Sequence, residues 1–197
     1  MDNNVWAIVL AAGKSTRMKQ QKMLLPFNGK TIIETVILNI LPVLGKNIMV
    51  VLGSHHLEIK NQMGKLPVKT CMNENYAEGM LSSVICGFRA LPVDAEAVLV
   101  FLGDQPQIPG EVTRLVIKAW QNSDKGIVIP VTNGRRGHPV LIETKYRSEI
   151  EQLDPGKGLR QLMEKFAEDV EETECSLPEI LRDIDTPEEY SREINLN

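Results

Sequence analysis

Residues 5–10 form an unbroken apolar run, Val-Trp-Ala-Ile-Val-Leu, that opens straight into a small-residue loop at Ala11-Ala12-Gly13. A strand with one face in water alternates apolar and polar residues, so an unbroken run indicates a strand covered on both faces. Runs of the same kind recur at Ile48–Leu52, Ala97–Leu102 and residues 127–131. Helical stripes lie between them. Ile32, Ile33, Val36, Ile37, Ile40 and Leu41 follow a Thr31/Glu34 capping box, and Leu81, Val84, Ile85, Phe88 and Leu91 form a second stripe. Val112, Leu115, Val116 and Ala119 make a third, and Thr186-Pro187-Glu188-Glu189 reads as one more helix start. Strands alternating with helices imply an α/β fold, a mainly parallel sheet with helices on both faces and right-handed crossovers. The chain has 197 residues, with no internal repeat or low-complexity tract, so one domain over 1–197 is expected.

Composition narrows the partners. A formal charge of −4 argues against nucleic acid or a membrane surface as the main ligand, and 43% apolar residues suit a packed core. Cys71, Cys86 and Cys175 are widely spread without a CxxC pair, which suits reduced thiols and offers no disulfide or metal framework. No apolar run approaches the ~18 residues that span a bilayer. The polar start Met1-Asp2-Asn3-Asn4 lacks the basic region of a signal peptide, so the cytoplasm is the expected location.

In an open α/β sheet, ligands sit beyond the carboxyl ends of the strands. The loop at that place after the first strand carries Lys14, Arg17, Lys19 and Lys22 and no anion. Small residues at 11–13 let backbone N–H groups approach a ligand, as a phosphate nest requires. Gly13-Lys14-Ser15-Thr16 matches the tail of a P-loop, but the glycine required five residues earlier is Ile8, inside the strand. No GxGxxG follows any strand, which removes a dinucleotide-binding reading.

Other constellations leave alternatives open. Asp104, in Gly103-Asp104-Gln105-Pro106, ends a strand on the side of the basic loop, where it is either a magnesium ligand or a turn cap. Gly79 with Ser82 and Ser83 opens a helix, as a ligand wall or as an ordinary helix start. Asp183 and Asp185 precede the last helix, and a cap at Thr186 explains the threonine but not the aspartates. Arg135-Arg136-Gly137-His138-Pro139 reads as a hairpin turn or as an arginine wall for a second phosphate, and residues 154–158 as a helix-start loop. His55 and His56 lack the partners of a zinc site and suit a surface or capping role. No serine stands in a recognised hydrolase arrangement.

Leu10-Ala11-Ala12-Gly13-x-Ser15-x-Arg17-Met18, followed by Lys22-x-Leu24-Leu25-Pro26, resembles the signature of the MobA-like nucleotidyltransferases. Gly79-Met80 with Ser82-Ser83, Gly103-Asp104-Gln105-Pro106, Gly137-His138-Pro139-Val140 and Asp183-Ile184-Asp185-Thr186-Pro187-Glu188 agree in order, and the branch most resembled is the molybdenum cofactor cytidylyltransferases. The resemblance implies a Rossmann-like nucleotidyltransferase fold and transfer of a nucleoside monophosphate from an NTP to the terminal phosphate of a pterin cofactor. It implies that Lys14, Arg17 and Lys22 hold the triphosphate, that Leu10, Ala11, Ala12, Gly13, Gly79, Ser82 and Ser83 shape the nucleotide site, and that Asp104 and Asp185 bind magnesium. Arg17, Lys22 and Asp104 would be the catalytic set. The Leu-Ala-Ala-Gly loop, where guanylyl enzymes resemble Leu-Ala-Gly-Gly, favours CTP, and a molybdoenzyme would be the client of the product. A sugar-phosphate nucleotidyltransferase and a non-catalytic cofactor carrier are the alternatives. One departure stands out: Lys19 occupies a position where the family usually has glycine.

Overall fold

The opening run forms β1 (Val5–Ala11), and all of its residues are buried. Its side chains divide between two cores, with Val5, Ala7, Val9 and Ala11 in one and Trp6, Ile8 and Leu10 in the other. The unbroken hydrophobicity is therefore two alternating patterns superposed, each facing its own layer. The structure is a computed structural model that describes residues 4–196; Met1-Asp2-Asn3 of the polar start, and Asn197, lie outside the described residues.

After β1 come a two-stranded ribbon of β2 (Pro26–Phe27) and β3 (Lys30–Thr31), α1 (Ile32–Leu44), β4 (Ile48–Leu52), α2 (His56–Met63), β5 (Lys69–Met72) and α3 (Met80–Ala90). Then follow β6 (Ala97–Leu102), α4 (Gly110–Gln121), β7 (Ile127–Thr132), β8 (Arg135–Arg136), β9 (Val140–Glu143), α5 (Arg147–Ile150), α6 (Arg160–Lys165), β10 (Val170–Glu174) and α7 (Pro187–Leu196). The main sheet has the order β10-β7-β9-β6-β1-β4-β5, with β8 paired to β7. β1 is central and runs parallel to β4 and β6, with Val9 opposite Val50 on one side and Phe101 on the other. Among the described residues, only β8 and β9 run against their neighbours in this sheet. α1, α2 and α4 contribute to one core, while α3, α5 and α6 contribute to the other. This is the α/β layering expected from the sequence.

Two details differ from it. The turn between β7 and β8 is Asn133-Gly134, both at positive φ (51° and 70°) as a tight hairpin needs, so Arg135 and Arg136 form the return strand and not the turn. β5, β9 and β10 gave no clear strand signal. No helix among the described residues is long and apolar enough to cross a membrane.

Several contacts bring remote segments to the carboxyl end of β1. Gly103 N–H donates to the Leu10 carbonyl (3.0 Å), an approach so close that a Cβ at 103 would lie 2.7 Å from that oxygen. Ile184 N–H donates to the Asp104 carbonyl (3.1 Å), and Tyr190 O–H donates to the Pro26 carbonyl (2.7 Å). The loop after β6 and the segment before α7 are thereby pinned beside the loop after β1.

Candidate active site

The loop after β1 turns twice through left-handed backbone, at Ser15 (φ 54°) and Lys19 (φ 56°), on either side of a short 3-10 turn over Thr16–Met18. Met18 is buried and anchors that turn, which leaves Arg17 pointing outward. Gln21 braces the whole loop. Its Oε1 accepts from Ser15 Oγ (2.8 Å) and from Met23 N–H (3.3 Å), while its Nε2 donates to the Gly13 carbonyl (3.3 Å). Lys22 N–H in turn donates to Ser15 Oγ (3.2 Å). Sequence reasoning passed over Gln21, since nothing local distinguishes it from the polar residues around it.

Lys22 is the centre of the charged floor. Its side chain is 10% exposed, and its Nζ donates to Asp104 Oδ2 and to Asp185 Oδ1 (2.7 Å). Arg17, open to solvent, donates to the other oxygen of Asp185 (2.6 Å). Burial opposes the charge on Lys22, but the Asp104 carboxylate, helped by Asp185, outweighs it and holds the ammonium above the usual lysine range. Burial likewise works against charge on Asp185, and Lys22 with Arg17 overcomes it, so that carboxyl stays below its usual range. Asp183 goes the other way. Although much of the residue is open to solvent, partial burial of its carboxyl, then the Asp104 and Asp185 charges, push it up to about 6 against a hydrogen bond from Gln105 (2.7 Å). Above this floor lies a cavity of ≈ 330 Å³ whose walls include Ala12, Gly13, Tyr76, Gly79, Met80 and Ser83.

A profile of the MobA-like NTP transferase domain matches residues 7–171. The chain belongs to the MobA-like NTP transferase family. It is 32% identical over 184 residues to the molybdenum cofactor cytidylyltransferase of Escherichia coli (strain K12), covering 93% of this chain and 92% of that protein. It is 28% identical over 200 residues to the nicotine blue oxidoreductase of Paenarthrobacter nicotinovorans, covering 95% of each. Among solved structures, Rv0371c from Mycobacterium tuberculosis H37Rv superposes with a TM-score of 0.84 at 23% identity over 99% of both chains. A complex of that protein with manganese gives 0.79 at 22% identity, over 98% of this chain and 99% of that one.

In this MobA-like chain the expected site residues do not all meet the cavity alike. Leu10, Ala12, Gly13, Arg17, Lys22, Gly79, Ser83, Asp104 and Asp185 line it. Ala11 is fully buried in β1 beneath the loop, and Lys14 extends over the Tyr76 ring, 5.6 Å from its centroid. Gly79 has φ 107° with ψ −179°, a conformation for glycine alone, and starts α3 at the cavity rim. Ser82 turns to a neighbouring cavity and donates to the Gly79 carbonyl (2.7 Å). Asn73, buried at the end of β5, was not anticipated: its Nδ2 donates to Ser82 Oγ (2.9 Å) and Ser83 Oγ (3.0 Å), which sets the wall formed by α3. Arg135 and Arg136 lie exposed outside the cavity, with Arg136 on Glu172 (2.7 Å). His55 pairs with Glu58 (3.1 Å), and burial pushes His138 down to about 4.

Among the described residues, no group of three or more His, Cys, Asp or Glu side chains is arranged to hold a metal by itself. Asp104 and Asp185 nonetheless converge on one cation, the Lys22 ammonium, and Asp104 Oδ1 is buried without a partner. Two carboxylates completed by phosphate oxygens and water are a donor set suited to magnesium, so the residues present fit the ion that the family resemblance implies.

Proposed function

We propose that this chain, as one domain over residues 1–197, transfers CMP from CTP to the terminal phosphate of molybdopterin and releases pyrophosphate. The observation that carries the transfer chemistry is the convergence of Lys22 on Asp104 and Asp185, under a cavity walled by the cationic loop. The identity to the cytidylyltransferase supports the pterin acceptor, and Ala12 in place of a second glycine supports cytosine. We assign the nucleotide wall to Leu10, Ala12, Gly13, Gly79 and Ser83, with Ala11 beneath it and Ser82 behind it as supports, and the triphosphate to Lys14, Arg17 and Lys22. Asp104 and Asp185 would hold magnesium, which when bound neutralises phosphate charge.

The acceptor is a phosphate monoester with a second pKa near ~6, already dianionic at neutral pH. It requires no general base. An acceptor oxygen attacks the α-phosphorus, the bond to the bridging oxygen breaks, and pyrophosphate leaves with the electron pair. The protein's part is to align two anions and to neutralise the charge that develops on the leaving group, which falls to Lys22 and Arg17. We place the reaction in the cytoplasm, with a molybdoenzyme receiving the product.

The test is pyrophosphate release from purified protein with each NTP, with and without molybdopterin, in magnesium and in manganese. Release with CTP plus pterin alone is expected. Release with a sugar phosphate instead would select a different acceptor, and pterin binding without turnover would select a cofactor carrier. Lys22→Ala should lower turnover by about 10²–10³-fold with the fold retained, and parental kinetics in that variant would remove Lys22 from the mechanism.

A further inference from the structure

A second cavity, ≈ 530 Å³, opens between β5 and the face of α3 that carries Ser82, Ile85, Cys86 and Arg89. Two of its lining residues are Cys71 on β5 and Cys86 on α3, 15 positions apart in sequence, with their sulfurs 3.7 Å from one another. Both are partly exposed free thiols, whereas Cys175 is buried. We propose that Cys71 and Cys86 are an oxidation site, a thiol pair that a peroxide converts into an intramolecular disulfide.

A disulfide is about 2.05 Å long, so the sulfurs must close by roughly 1.7 Å. β5 is positioned to give way, because among the described residues it is an edge strand paired only to β4. Burial, and the adjoining Cys86 sulfur, push the Cys71 thiol up to about 12. Cys86 shares the cavity wall with the Arg89 cation one turn further along α3, and is the sulfur placed to meet the peroxide. Cys86 takes one peroxide oxygen to become a sulfenic acid and releases water. Cys71 then attacks that sulfur, the S–S bond forms, and the departing hydroxide leaves with the Cys71 proton as a second water. Two thiols are oxidised, one peroxide is reduced, and nothing else is consumed.

The bond would join two elements whose alignment sets the nucleotide wall. Cys71 is two residues before Asn73, which holds the Ser82 and Ser83 hydroxyls, and Cys86 lies one turn beyond Ser82 on α3. Closing the sulfurs moves the anchor of Ser83 relative to the cavity, so oxidation should weaken nucleotide binding. That consequence rests on the nucleotidyltransferase reading, but formation of the bond does not.

The experiment treats the reduced full-length protein with hydrogen peroxide and follows thiol titration, intact mass and peptide mapping. The expected result is loss of two thiols, a mass lower by two hydrogens, a cross-linked Cys71–Cys86 peptide that dithiothreitol reverses, and an untouched Cys175. Oxygen added to one cysteine without that peptide, or a disulfide between two chains, would overturn the proposal. CTP affinity of the oxidised protein should fall about threefold to tenfold, and Cys86→Ser should make affinity insensitive to peroxide. Unchanged affinity in a fully cross-linked sample would overturn the coupling to the nucleotide wall. Absence of CTP binding in both redox states, with the peptide mapped, would count against the nucleotidyltransferase reading and support the oxidation site.

Discussion

Lys19 ends the turn that carries Arg17, and its left-handed backbone (φ 56°) is one that L side chains avoid by roughly 1–2 kcal/mol. Glycine lacks the Cβ that causes this clash, although it loses more chain entropy on folding. Lys19→Gly is therefore expected to stabilise the protein by about 0.5–1 kcal/mol in urea unfolding, and a destabilised variant would show that the lysine side chain compensates its own backbone. On the charged floor of the site, burial and the Asp104 and Asp185 carboxylates push Asp183 up to about 6, above the ~3.9 of an unfolded chain. The unfolded state gives up this proton first, so the group's contribution to stability is present below about pH 4 and is lost as pH rises towards 6. The stability advantage of Asp183→Asn over the parent should be small near pH 4, grow to about pH 7 and then level off, trimmed by solvent screening. Parallel pH profiles for the two proteins would contradict the shift.

Helix α7 shows how an ordinary cap can serve a site. Thr186 Oγ1 accepts from Glu189 N–H (3.2 Å), and Glu189 Oε2 accepts from the N–H groups of both Thr186 and Asp185 (2.9 Å each). The cap that starts the helix thus also orients the residue whose carboxylate meets Lys22 and Arg17. Thr186→Ala should cost about 1 kcal/mol of stability and raise the KM for nucleotide. Thr31 supplies the control. It makes the same kind of capping box with Glu34 at the start of α1, so Thr31→Ala should cost a similar amount of stability and leave KM unchanged. Equal effects of both variants on KM would mean that the α7 cap has no special link to the site.

At the scale of the whole molecule, the two layers are held at a separation set by α3 on the central strand. A Cβ at Gly87 would lie 2.7 Å from Ile8 Cγ2 and 3.1 Å from Val51 Cγ2. Gly87→Ala should overpack this contact by about 1–3 kcal/mol, and Ile8→Ala should leave a cavity costing about 2–5 kcal/mol. Because one change makes room for the other, the double variant should be more stable than the sum of the single losses implies; additivity would mean that the layers do not meet there. The packing that brings α3 against β1 also places Gly79 and Ser83 at the cavity. How much of this was legible in the chain itself follows from the range of each interaction. The unbroken runs at β1, β4, β6 and β7 marked buried strands, and the capping boxes at Thr31 and Thr186 marked helix starts, because burial on two faces and capping are written in neighbouring residues. β5 and β10 were hidden because they form the sheet edges, where Lys69-Thr70 and Glu171-Glu172 need no apolar partner. The cationic loop and Asp104 stood out as local patterns. The Gln21 brace is local to residues 13–23, yet no period in the loop sequence marks it. The meeting of Lys22 with Asp185 across 163 positions and the Asn73 bridge were decided by tertiary structure alone, because each depends on how separate elements dock and no local period encodes that.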